Sequence, residues 1–119
     1  VLDQRANTLR FACGGHYPPP MLFTDTNLQL LEQKSMAVGL LPFAKFHDQT
    51  LSLPPAFRLV LVSDGALDAL APLPAEARLA HLHQLRTRSA WAEFVQTAAA
   101  QTELPDDLTF LSVTRGDVL

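Results

Sequence analysis

Residues 59–70 read LVLVSDGALDAL, and this stretch decides how the rest of the chain is read. Four apolar residues run into Ser63, Asp64 and Gly65, and beyond them the pattern turns helical. The run 58–63, RLVLVS, is apolar at nearly every position, which predicts a strand covered on both faces. Asp64 stands where that strand ends. On spacing alone two roles are open to it: a turn residue capping the short helix that follows, or one half of a metal site.

The segments around this strand supply its neighbours. Toward the N-terminus, Val1–Asp3 reads as strand-like, and TLRFAC (8–13) alternates Leu9 and Phe11 against Thr8 and Arg10, a half-buried strand. GGHYPPP (14–20) breaks it, since two glycines and three prolines fit neither a helix nor a central strand. MLFT (21–24) and LQLLE (28–32) form a hairpin around the turn-favouring trio Asp25, Thr26, Asn27. SMAVGLLP (35–42) lacks a period and is a loop or a short strand. KFHDQTLSL (45–53) predicts another strand, ended by Pro54 and Pro55.

Toward the C-terminus, one helical turn follows Gly65. Leu79, Leu82 and Leu85 give 75–87 a helical spacing behind Pro74. Trp91, Phe94, Val95 and Ala98 do the same for 90–101, with Ser89 as the expected cap. LTFLSVT (108–114) closes the chain as a strand. Strands, two helices and a last strand define an α+β fold, a mostly antiparallel sheet covered by helices.

Composition bounds the function. The chain has 119 residues, 48% apolar and 18% charged, enough for one domain or part of one. A net charge of −3 without a basic block argues against nucleic acid or an anionic membrane as partner. Cys13 is the single cysteine, so no internal disulfide forms, and a reducing, cytoplasmic setting is expected. The sequence has no signal peptide and no apolar run near the roughly 20 residues that span a bilayer. It opens without an initiator methionine and already strand-like, and so reads as a fragment of something longer.

Two acidic points occupy comparable positions. Asp64 ends the buried strand, and Asp106 and Asp107 open the last one in PDDLTFLSV. If those strands are neighbours, their carboxylates meet, and two that close repel until one takes up a proton or a cation neutralises both. Carboxylates and water suit the hard ions Mg²⁺ and Mn²⁺. Gly65 lets backbone approach without a side chain in the way. The plainer reading keeps Asp64 as a cap and Asp106–Asp107 as a turn after Pro105.

Four motifs bear on the choice: Cys13-Gly14-Gly15-His16-Tyr17-Pro18-Pro19, Gly39-Leu40, Ser63-Asp64-Gly65-Ala66-Leu67-Asp68-Ala69, and Asp106-Asp107-Leu108-Thr109. In this order they resemble the SpoIIE-like branch of the metal-dependent Ser/Thr phosphatases, the protein phosphatase 2C superfamily. That branch carries N-A-G-H-x-P-P, a G-L loop, [ST]-D-G-x-x-[DE]-A and D-D-[IL]-T. The resemblance implies that residues 1–119 are the C-terminal portion of one such domain, part of an α-β-β-α sandwich.

The resemblance further implies hydrolysis of phosphoserine or phosphothreonine by a water activated between two Mn²⁺ or Mg²⁺ ions. Asp64 and Asp106 match the family's ligating aspartates. Asp107, Gly65, Gly15 and His16 stand as supporting residues, with His16 either a phosphate or metal contact or a donor fixing the proline loop. A phosphorylated protein substrate, such as an anti-sigma-factor antagonist, and an upstream sensor or receiver domain are also implied.

The sequence departs from the family in three places, one of them the F-G pair often seen after the [ST]-D-G strand, which the helical region lacks. The earlier D-x-[ST]-G-H-G element, source of the aspartate that bridges both metals, is missing, so the fragment alone is expected to bind metal weakly and hydrolyse little. Cys13 replaces the usual Asn. The alternative function is therefore a degenerate, phosphatase-like docking module without turnover. His47, His81 and His83 read as residues of solvated faces, the 91/94/95/98 stripe as core, and Cys13 as a small buried apolar residue. Ser63 lacks the G-x-S-x-G elbow of a nucleophilic serine.

Overall fold

The computed structural model describes residues 1–118. Seven strands and three helices follow one another as β1 (Leu2–Asp3), β2 (Thr8–Phe11), β3 (Met21–Phe23), β4 (Leu28–Leu30), β5 (Gln49–Ser52), β6 (Phe57–Val62), α1 (Gly65–Asp68), α2 (Ala75–Gln84), α3 (Arg88–Ala99) and β7 (Phe110–Arg115). They make two antiparallel sheets, one ordered β1-β2-β5 and the other β4-β3-β6-β7. The molecule is a slab of 42 × 42 × 21 Å.

The apolar run 58–63 explains the layering. Phe57 and Leu59 of β6 join Leu9, Leu22, Leu31 and Leu53 in a core between the two sheets. Val60 and Val62 point the other way, into a second core with Met21, Phe23, Leu82, Trp91 and Phe94 under the helices. β6 is thus covered on both faces, as its continuous hydrophobicity requires. Trp91 anchors the helical layer, stacked on Phe110 at 5.4 Å between centroids and edge-on to Phe23 and Phe94. The α+β expectation holds, with one helical layer among the described residues.

One charged side chain crosses the helix-facing core. Arg58 is 2% exposed, and its guanidinium donates to the carbonyls of Arg86 and Val118. Burial, and after it the nearby Arg88, push its pKa below the usual arginine range. These bonds tie β6 to the α2–α3 connection and to the C-terminal segment, and keep buried carbonyls paired.

Several boundaries differ from the sequence reading for local reasons. The strand expected over 45–53 is confined to Gln49–Ser52, because the Gln33 side-chain amide takes the His47 carbonyl at 2.7 Å. SMAVGLLP forms turns and no strand. Helix α2 ends at Gln84, since Leu85 leaves helical geometry at ψ 76°. Arg86 then reaches back to the Thr24 carbonyl and lies over the Phe23 ring. The cap of α3 is Thr87 rather than Ser89: Thr87 is extended and its hydroxyl accepts from Ala90 N–H at 3.1 Å, while Ser89 lies inside the first turn.

His83 corrects the expectation of a solvated face. It is half-buried, and its Nε2 has no hydrogen-bond partner among the described residues. Burial lowers its pKa, and Glu32 opposes that only in part. A base whose folded pKa lies below its unfolded value contributes stability above the unfolded pKa, and that contribution declines as pH falls through it. The thermal midpoint is therefore expected to drop more between pH 7.5 and 5.5 in the wild type than in His83→Gln. Scanning fluorimetry at both pH values checks this, and parallel curves would contradict it.

Candidate metal centre

β6 and β7 pair antiparallel from Phe57↔Arg115 to Val62↔Phe110, which carries the SDG motif directly to DDLT. The ladder then changes character. Ser63 N–H donates to the Thr109 carbonyl at 3.0 Å, while the Ser63 hydroxyl accepts from Thr109 N–H at 2.9 Å and donates to the Asp107 carbonyl at 3.1 Å. A side chain has taken over one rung, so β7 begins at Phe110 rather than at Leu108. Ser63→Ala removes both hydroxyl bonds and is expected to cost about 1 kcal/mol; urea unfolding measures it.

Gly65 completes this junction. A Cβ on Gly65 would overlap the Asp107 carbonyl oxygen and lie 2.8 Å from its carbon. Only a residue without a side chain lets the two backbones come this close. The strand end that bears Asp64 and the turn that bears Asp106 and Asp107 are thus locked together by main chain and one hydroxyl.

The carboxylates differ in their local duties. Asp64 occupies the N-cap position of α1, yet its side chain makes no capping bond. The cap role offered by spacing therefore leaves its carboxylate unspent and exposed to solvent. Asp106 Oδ1 accepts from Asp107 N–H at 2.8 Å, a turn-stabilising bond, and both residues are exposed. These oxygens fit a hard divalent cation in kind. They fall short in number: among the described residues no group of three or more His, Cys, Asp or Glu side chains could hold a metal ion.

Gly15 and His16 belong to a different junction. Gly15 has φ +90°, and a Cβ there would lie 2.8 Å from Ala37 Cα, so the glycine allows GGHYPPP to press on the 36–40 turn. The Gly14 carbonyl accepts from Val38 N–H at 3.0 Å. His16 is exposed and lines a cavity of about 480 Å³ with Cys13, Leu9, Leu59 and Leu61, in which none of the three aspartates takes part. The motifs thus form two pairs: SDG with DDLT, and GGH with VGL.

Cys13 also departs from expectation, being half-exposed rather than buried. Burial opposes ionisation of its thiol. Hydrogen bonding from the Gly15 backbone, the Ser35 side chain and the His16 backbone together outweighs that effect and holds its pKa below the usual cysteine value. Turn geometry this local has no periodic signature, so sequence spacing could not reveal it.

The family model for stage II sporulation protein E (SpoIIE) matches residues 1–116. The chain belongs to the SpoIIE family. Its fold is similar to the RsbU and RsbW domains of Rv1364c from Mycobacterium tuberculosis, with a TM-score of 0.77 and 22% identity over 99% of this chain and 36% of that one. It is also similar to the phosphatase domain of SpoIIE from Bacillus subtilis, with a TM-score of 0.65 and 14% identity over 97% of this chain and 54% of that one. No curated protein matches the sequence. The chain thus spans between about a third and just over half of these solved chains. Among the described residues no helix is long and apolar enough to cross a membrane.

Proposed function

We propose that residues 1–119 are the C-terminal portion of a metal-dependent protein serine/threonine phosphatase domain, acting on a phosphoserine or phosphothreonine protein. The observation that carries this reading is the Ser63–Gly65 junction with Asp107 and Thr109, which joins two acidic strand ends while leaving the Asp64 carboxylate out of capping. Membership of the SpoIIE family supports the reaction class. A surface of 7740 Å² supports the fragment reading, since a compact protein of 13.0 kDa exposes about 6,300 Å².

In this reading Asp64 and Asp106 hold Mn²⁺ or Mg²⁺. Ser63 and Gly65 fix the distance between the two strand ends, and Asp107 lends its backbone to that link. Held there, such cations would supply an activated water and charge neutralisation at the phosphoryl oxygens. The remaining ligands come from the upstream part of the domain. An anti-sigma-factor antagonist as substrate, a sensor or receiver domain upstream and a cytoplasmic setting belong to the same proposal.

The test is phosphate release from a phosphoserine protein by the complete domain, with and without Mn²⁺. Release that is abolished by chelation and restored by Mn²⁺ is expected, and release indifferent to the metal would contradict the proposal. A second reading, a docking module without turnover, is favoured by the lack of a three-ligand group among the described residues. It predicts no release at any Mn²⁺ concentration.

A further inference from the structure

The exposed apolar side chains gather in one segment between β4 and β5. Met36, Val38, Leu40, Phe43 and Phe46 are all open to solvent, with Val38, Leu40 and Phe43 at 74%, 68% and 70%. A contiguous apolar patch of this kind marks an interaction site rather than an ordinary loop.

The segment is held in place. Val38 N–H donates to the Gly14 carbonyl at 3.0 Å, and Gly15 leaves room for Ala37 to press on its backbone. Leu40 N–H and Ala44 N–H close turns onto the Ala37 and Leu41 carbonyls, each at 3.3 Å. Gln33 clamps the two ends, its side chain accepting from Cys13 N–H and donating to the His47 carbonyl, both at 2.7 Å. The main chain is fixed while the apolar side chains face outward, which lowers the ordering cost of binding.

Its position and charge indicate the occupant. The registers Met21↔Leu30, Met21↔Val60 and Val62↔Phe110 put the start of β3 and the end of β4 at the sheet end where β6 delivers Asp64 and β7 begins after Asp106. The Gln33 clamp brings the end of β2 and the start of β5, paired at Phe11↔Gln49, to that same end. Lys34 and Lys45 flank the patch, exposed and in no ion pair among the described residues. No carboxylate lies between Glu32 and Asp48, and Asp48 is itself 3.8 Å from Arg10. The matching partner is apolar at its centre and acidic at its rim.

We propose that residues 36–46 dock an apolar, acid-rimmed segment of the phosphoprotein substrate, and so select which phosphoserine reaches the Asp64–Asp106 junction. This rests on the phosphatase reading above. A second copy of the chain fits worse, because a symmetric contact brings Lys34 and Lys45 toward their own duplicates, where like charges repel.

Binding of two fluorescent phosphoserine peptides to the complete polypeptide, in the presence of a metal chelator, tests this. One peptide carries leucines and glutamates around the phosphoserine, and its twin has serines in place of the leucines. The wild type is expected to bind the leucine peptide at least about tenfold more tightly than the twin. The double variant Leu40→Glu, Phe43→Glu is expected to lose that preference with a thermal midpoint within about 2 °C of wild type, since both side chains are exposed. The double variant Lys34→Glu, Lys45→Glu is expected to weaken binding at least about fivefold at low salt. An equal affinity of the wild type for both peptides, or a preference that survives in the Leu40, Phe43 variant, would overturn the proposal. So would three other effects of that variant: a midpoint lowered by several degrees, the sign of cover by the polypeptide itself; loss of self-association, the sign of a second copy; or loss of binding to phosphatidylglycerol vesicles, the sign of a membrane. Peptide binding in chelator needs neither metal nor turnover, so the docking surface and the phosphatase reading fail separately.

Discussion

Asp64→Asn in the complete domain is expected to lower Mn²⁺-dependent phosphate release at least about 100-fold while leaving the thermal midpoint within about 2 °C of wild type. The first half follows from the proposed role. An amide keeps the shape of the carboxylate but carries no charge to hold a divalent cation, and catalysis by metal ions draws several kcal/mol from that charge. The second half follows from the structure. Asp64 is exposed and its side chain makes no capping bond, so the fold draws little from the carboxylate. A cap residue would show the reverse pattern, losing roughly 1 kcal/mol of stability with activity intact. The two roles left open by spacing therefore separate in one pair of measurements, activity and midpoint.

Gly65→Val is expected to destabilise the fold by about 3 kcal/mol and to disrupt the junction in the same stroke. Gly65 is buried, and any Cβ there overlaps the Asp107 carbonyl, which is backbone and cannot swing aside. Overpacking of this kind typically costs about 1–3 kcal/mol, and a branched side chain against main chain belongs at the upper end. Relief requires the 106–109 segment to retreat, which breaks the Ser63 bonds to Asp107 and Thr109. Urea denaturation of Gly65→Val and of Ser63→Ala should therefore rank them clearly, with the glycine variant the worse. Equal midpoints would show that the close approach of the two backbones does not govern this junction.

The parts of the fold legible in the sequence were those written in long periods. The continuous apolar run of β6 predicted a strand buried on both faces, and it lies between two cores. The stripe Trp91, Phe94, Val95, Ala98 predicted the helix that packs on it. Ends of elements were less legible, because single side chains decide them: Gln33 captures the His47 carbonyl and shortens β5, Ser63 replaces a ladder rung and delays β7, and Thr87 takes the cap of α3. Each is a contact between residues or a rotamer choice that periodicity does not encode.

The candidate site divides along the same line. The motif SDG and the motif DDLT could be placed at strand ends from sequence, and β6 and β7 are neighbours. The hydroxyl and glycine that lock them together could not be read, since Ser63 and Gly65 act on residues more than 40 positions away. The sequence places His83 on a solvated face, because a histidine between Leu82 and Gln84 on a helix gives no hint of what folds over it. Its half-buried Nε2 depends on tertiary packing alone.

The central claim is that Asp64 and Asp106 share a divalent cation. Mn²⁺ binding to the complete domain, followed by the paramagnetic resonance of free Mn²⁺ in wild type, Asp64→Asn and Asp106→Asn, tests it most directly. Binding by the wild type that weakens at least about tenfold in each variant is the predicted result. Binding unchanged in both variants would contradict the account.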